Sequence, residues 1–332
     1  MKSIKLLFQI ATFTSILLLA GQCFAESEVA VISTPGPQAV DVNPLTGLAY
    51  VANFLQPTVS VISEQTNTIV DTITFPAGPN NNQAEMVGVA VNPATSRLYA
   101  SDTHNSVTYV VDTHNNRIID KIFISGLLTV NPFNNKLYVS LFGNGVEIID
   151  GKTDRVAGTV QVQFPGRAAV DFGTNRVYVP SNNFNGSVVV IDGRNNTALA
   201  TIATGNFTAA VGVDFQRHLA YAANQGFTPE TNNLSVIDTN TNRVIGTIQT
   251  DESPSTVSVN PFTNRIYVAN RLASNVSGSD VVDIIDGSTG QIVNRLPIDR
   301  DPVDSAIDLG HNLLYIVSAN VRDVVTAIDT NP

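Results

Sequence analysis

Short apolar runs broken by polar turns fill the chain from about residue 28 onward. One stretch shows the unit: TVSVN (256–260), RIYVAN (265–270), DVVDIID (280–286) and QIVNRL (291–296), separated by clusters of Asn, Pro, Gly and Thr. β-Branched runs of this length predict strands, and the residues between them supply hairpin-turn chemistry. The unit repeats. Each copy has an apolar strand ending in Asn-Pro or Asp-Phe, a polar turn, a strand carrying Tyr, a loop, a strand ending in Ile-Asp, a second polar turn, and a strand like RVIGTI (243–248). The anchor tyrosines are Tyr50, Tyr99, Tyr138, Tyr178, Tyr221, Tyr267 and Tyr315, spaced 39 to 49 residues apart. Asp112, Asp150, Asp192, Asp238, Asp286 and Asp329 close the third strands, with Ser63 in that place in the first copy. Four antiparallel strands at this period make a β-propeller blade. The sequence therefore predicts an all-β, seven-bladed β-propeller of four-stranded antiparallel blades.

The seventh repeat ends at AIDTNP (327–332) without a fourth strand, while EVAVIS (28–33) precedes the first repeat and has the pattern of one. The N-terminal strand is expected to close the last blade. Such closure joins the chain ends and removes the free edges of an open array. Residues 26–332 then form a single propeller domain.

Residues 1–25 follow another pattern. Lys2 and Lys5 precede an apolar stretch at 10–20, and Cys23-Phe24-Ala25 places small residues at −3 and −1. This is the layout of a secretory signal peptide cleaved after Ala25. Its apolar run is short of the ~20 residues that span a bilayer, and no other segment approaches a transmembrane span. The expected location is outside the cytoplasm: periplasmic, or extracellular at the cell surface.

Composition narrows the chemistry. Charged residues are 14% of the chain, and 28 acidic against 18 basic residues give a net charge of −10. Loss of Lys2 and Lys5 with the leader would make it −12. This balance disfavours nucleic acid and anionic membranes as partners. The leader also carries the single Cys, and there is no Trp. The mature chain thus lacks a disulfide, a thiolate ligand, a haem-attachment motif and the source of a Trp-derived cofactor. No cofactor is expected; a divalent metal in the central channel is left open.

Tyr50-Val51-Ala52-Asn53, Tyr267-Val268-Ala269-Asn270, the VNPFTNR turn (259–265) and VIDTNTNRVIGTI (236–248) resemble the YVTN β-propeller repeat family. The resemblance runs over roughly residues 28–332. Several repeats depart from the tetrapeptide: Tyr99 leads YASD, Tyr138 YVSL, Tyr178 YVPS and Tyr315 YIVS. The resemblance implies the propeller fold and kinship with secreted or periplasmic bacterial proteins and archaeal surface-layer proteins. It does not imply a shared reaction. A further reading that it brings, binding of single-stranded DNA, is opposed by the acidic charge.

The recurring acids, one per blade, are expected to form Asx turns. Asp238 to Asn242 begins like a calcium loop, but Arg243 and Gln249 stand where Gly and Glu are needed. His114, His218 and His311 fall in turns of one propeller face and His104 in a loop of the other, so the four do not converge. They read as solvated turn residues, and no metal site is predicted.

The clearer functional pointer is a loop face. Second-to-third and fourth-to-first connections share one face around the channel mouth. Phe54, Phe142, Phe184 and Phe227 recur in the first set, and Phe75, Phe164 and Phe207 come from the second. Such rings stack on sugars and apolar ligands or anchor interfaces; the alternative is that they pack between blades. His104, Arg167, Arg271 and Arg300 lie on the same face, where an Arg can pair bidentately with an anionic group. The expected function is a monomeric, non-enzymatic binding or scaffold protein that presents this face to a protein, glycan or small ligand. The alternative is a metal-assisted enzyme of lactonase or lyase type. That reading requires at least three convergent carboxylate, Asn or His side chains in the channel.

Overall fold

The computed structural model describes residues 26–78, 81–226, 228–271, 280–319 and 321–332. The expected signal peptide, Phe227 and most of the loop at 270–280 lie outside the described residues. Each of the first six repeats becomes one antiparallel sheet, with its four strands in sequence order from the channel outward, and the seventh supplies the three inner strands of the last sheet. Seven such sheets follow one another around a ring, and the first blade packs on the last. The fold is the seven-bladed propeller that the repeat pattern predicts.

Burial explains the pattern within a repeat. In blade 1 the second strand, Leu48–Asn53, and the third, Thr58–Ser63, are buried along nearly their whole length. The fourth, Thr68–Thr74, buries only Ile73. Middle strands carry side chains into neighbouring blades on both faces, so they read as near-continuous apolar runs. Among the described residues the core is seven clusters, each combining aliphatic residues of adjacent blades with an anchor Tyr of the second strand.

The ring closes as expected. Ser27–Ser33 pairs antiparallel with Val324–Asp329, the third strand of blade 7, matching Ile32 to Val325 and Ser33 to Val324. Ile32 joins a cluster that includes Val40 and Val51 of blade 1 and Tyr315 and Val317 of blade 7. Among the described residues no helix is long and apolar enough to cross a membrane.

Polar turn chemistry is as regular as the core. Every first strand ends in an Asx residue: Asn43, Asn92, Asn131, Asp171, Asp214, Asn260 or Asp308. Its Oδ1 accepts the N–H two residues on, at 2.6–3.1 Å. The third-strand acids Asp112, Asp150, Asp192, Asp238, Asp286 and Asp329 do the same at 2.8–2.9 Å. These are the Asx turns expected of them.

Candidate functional site

The seven innermost strands enclose a channel of about 680 Å³, the size of a small-molecule site. Its wall is built mostly from small and aliphatic residues such as Gly88, Leu128, Val211, Gly212 and Val257. One side chain crosses it. Arg167 leaves the connection into blade 4 and reaches Asp304 of blade 7 at 2.6 Å and Asp41 of blade 1 at 3.5 Å. It also donates to the carbonyl of Val40 at 2.8 Å. Both acids are held on their own side: Asp304 accepts the N–H of Val40 at 3.0 Å and Asp41 that of Val91 at 2.8 Å. Burial pushes the Asp41 carboxyl above its ordinary value, with Arg167 pulling the other way.

The guanidinium foreseen as an anion partner is therefore engaged by the protein's own carboxylates. These are charge-assisted bonds, the stronger kind of hydrogen bond. Among the described residues the acids that line the channel are Asp41 and Asp304, with a cation between them. Among the described residues, the group of three potential metal ligands that lie together is Glu64, Asp308 and His311, none of which lines the channel.

The loop-face mouth carries exposed rings. Phe142 and Phe164 both line it and are 62% and 58% exposed. Phe164 and its counterpart one blade on, Phe207, have φ of 45° and 49°. The equivalent residues of three other blades, Gly36, Ser253 and Asp301, are left-handed as well, with φ of 65°, 50° and 67°, so this turn conformation belongs to the repeat. Phe184 is exposed and meets Phe207 edge to face at 6.0 Å. Asn182 adds an amide to the channel lining.

The other predicted residues lie outside that lining. Phe54 is partly exposed on the second-to-third loop of blade 1. His104 pairs with Glu85 at 3.2 Å. Arg271 pairs with Asp301 at 3.3 Å and donates to the Pro302 carbonyl. Arg300 is partly buried in the connection into blade 7. Phe75, in contrast, is buried against Tyr109 at 5.0 Å and serves packing between blades. The structure thus gathers Phe142 and Arg167 at the channel and spreads Phe54, His104, Phe184, Arg271 and Arg300 over the surrounding loops.

Two features of the site escaped sequence reasoning. Asp41 carries no signal of its own in the sequence, because its partner, Arg167, comes from blade 4. On the opposite face, Phe133, Phe172, Phe215 and Phe262 form an arc on four successive blades, with ring centres 5.5, 6.2 and 6.2 Å apart. Their sequence signal is the Asn-Pro-Phe or Asp-Phe that ends each of those inner strands.

No protein-family model matches the chain. Over 260 residues the chain is 22% identical to the uncharacterised protein YncE of Salmonella typhi and of Salmonella typhimurium, covering 71% of this chain and 69% of each relative. A chain of Kuenenia stuttgartiensis hydrazine synthase superposes with a TM-score of 0.72 at 14% identity, over 88% of this chain and 95% of that one. At that identity the second likeness is one of fold. The protein is a seven-bladed β-propeller with distant sequence similarity to YncE.

Proposed function

We propose that this is an exported, non-enzymatic propeller of the YVTN-repeat type. It acts as a rigid binding or scaffold protein whose loop face takes a ligand at the channel mouth. The observation that carries this reading is the pair Phe142 and Phe164, more than half exposed at the rim of a 680 Å³ channel. Exposed rings around a concavity mark recognition sites. The disc behind them holds the loops in place, as scaffolds of binding loops do. Arg167 is already paired, so stacking and amide hydrogen bonds lead recognition, which suits a glycan, a small ligand or an apolar segment of a partner protein. The enzymatic alternative needs three convergent ligands in the channel, and the acids that face each other there, Asp41 and Asp304, share Arg167.

The test is a glycan microarray and a small-ligand panel, run on wild type and on Phe142→Ala/Phe164→Ala. Protein made with residues 1–25 in a secreting host is expected to begin at Glu26. A ligand should be retained by wild type and weakened at least about tenfold in the variant, the loss typical of a truncated hot-spot ring. The urea midpoint should not move. A ligand that binds both proteins alike overturns the reading.

A further inference from the structure

The repeat is broken at one buried position on the seam where the ring closes. In every blade the residue after the third strand donates its N–H to the last residue of the first-to-second turn. The pairs are Glu64 to Gly47, Thr113 to Ser96, Gly151 to Asn135, Gly193 to Asn175, Thr239 to His218, Gly287 to Asn264 and Thr330 to Asn312, at 2.8–3.0 Å. This shared bond makes the seven positions equivalent. Six hold Gly or Thr, and blade 1 holds Glu64. The turn residue opposite is Gly47, where four other blades have Asn. A Cβ on Gly47 would meet His311 at 3.6 Å and Glu64 at 3.8 Å. The His311 ring and the Glu64 carboxylate thus stand in contact with the place where a turn side chain would begin.

The seams differ accordingly. Between blades 2 and 3 the Asn92 amide donates to Asn135 at 2.8 Å, and between blades 3 and 4 Asn131 donates to Asn175 at 2.7 Å. Between blades 7 and 1 the equivalent of Asn92 is Asp308, and it meets Glu64. The Glu64 and Asp308 side chains are 2% and 0% exposed, while His311 is 48% exposed. His311 Nδ1 lies 2.9 Å from Glu64 Oε2 and 3.2 Å from Asp308 Oδ2. One ligand atom from each residue falls within 4.8 Å of the other two. Glu64 Oε1 is buried with no hydrogen-bond partner.

We propose that Glu64, Asp308 and His311 form a site for a divalent transition metal of the zinc class, clipping blade 1 to blade 7. Two carboxylate oxygens and one imidazole nitrogen are a donor set that suits zinc, and three protein ligands leave a fourth position for water or a ligand. His311 is the member of the group that is open to solvent. Calcium takes six to eight oxygen ligands, more than this seam supplies. Ligands about 2.0–2.1 Å from a tetrahedral centre lie ~3.3 Å apart, close to the two separations measured. Asp308 is oriented by its own turn, since Oδ1 accepts the N–H groups of Gly310 at 2.6 Å and His311 at 3.0 Å and leaves Oδ2 facing the cluster.

The experiment is calorimetric titration of Zn²⁺ into chelator-stripped, tag-free protein, with Ca²⁺ as comparison and melting followed in parallel. One equivalent of Zn²⁺ should bind and raise the Tm, and Ca²⁺ should do neither. Glu64→Thr restores the residue type of the other blades. It should fold and melt no lower than metal-free wild type, yet bind Zn²⁺ at least about 100-fold more weakly, as should His311→Ala. No stoichiometric uptake, or equal uptake by both variants, overturns the proposal. Should Glu64→Thr fail to fold, the half-exposed His311→Ala decides it.

Discussion

The seven anchor tyrosines lie between blades with at most 1% of each exposed. Burial pushes the hydroxyls of Tyr50 and Tyr221 up to about 12. Burial raises Tyr99, Tyr138, Tyr178, Tyr267 and Tyr315 as well. The folded values stand above the ordinary 10.0, so the stabilisation from neutral tyrosine is complete below pH 10 and is lost as pH rises through the folded values. Tyrosinate absorbance should therefore stay low past pH 10, then appear in one step together with loss of the far-ultraviolet circular dichroism. A gradual titration centred on 10 with intact circular dichroism would contradict this burial. Residues that repeat were legible in the sequence, because each Tyr or turn Asp recurs at a fixed place. Residues that matter once were harder to read. The change to Ser63 was visible in the sequence, but the departure at Glu64 beside it shows only when the structure brings Asp308 and His311 from the far end of the chain.

Outer strands explain what alternation reveals and what it hides. Most bury a single aliphatic residue: Ile32, Ile73, Ile122, Ile202 or Ile298. The strand Ser27–Ser33 has no hairpin to hold it beside Val324–Asp329, so its attachment depends on ladder bonds and on Ile32. Ile32→Ala should lower unfolding free energy by roughly 3 kcal/mol, whereas Val31→Ala, at a site nearly half exposed, should stay within about 0.5 kcal/mol. Urea unfolding of the two variants checks the difference, and equal losses would mean that the closing strand is not anchored through Ile32. The missing fourth strand of the seventh repeat made this closure readable in advance. Inner-strand beginnings were less so: TVSVN starts at 256, but the strand is Pro254–Asn260. A register shift between Pro254 and Thr256 interrupts the alternation there. The same irregularity recurs at Pro37/Ala39, Met86/Gly88, Thr208/Ala210 and Pro302/Asp304. A bulge inserts one residue and turns the side-chain pattern over, so an apolar run in the sequence stops short of the strand.

A closed ring allows something an open stack does not: opposite walls can be tied across the axis. Arg167 does this, leaving blade 4 and ending on blades 1 and 7. Its partners are 126 and 137 residues away in sequence, and only the closed circle brings the three walls within reach of one guanidinium. Arg167→Ala would leave Asp304 and Asp41 facing each other without a cation. Breaking a buried pair by removing one partner is strongly destabilising. Because about a quarter of the Arg167 side chain remains accessible, the loss should sit at the low end of that range, roughly 3 kcal/mol. Arg167→Lys keeps the charge but cannot serve Asp304 and Asp41 through separate nitrogens, so it should recover only part of the loss. In a double-mutant cycle, Arg167→Ala/Asp304→Asn should cost less than the sum of its single changes, since the second substitution removes the charge stranded by the first. Urea unfolding measures all four proteins. A loss below about 0.5 kcal/mol for Arg167→Ala, the level of an ordinary surface substitution, would show that the crossbar carries no load. A full loss would show that Arg167 ties the ring together from inside the channel whose rim exposes Phe142 and Phe164.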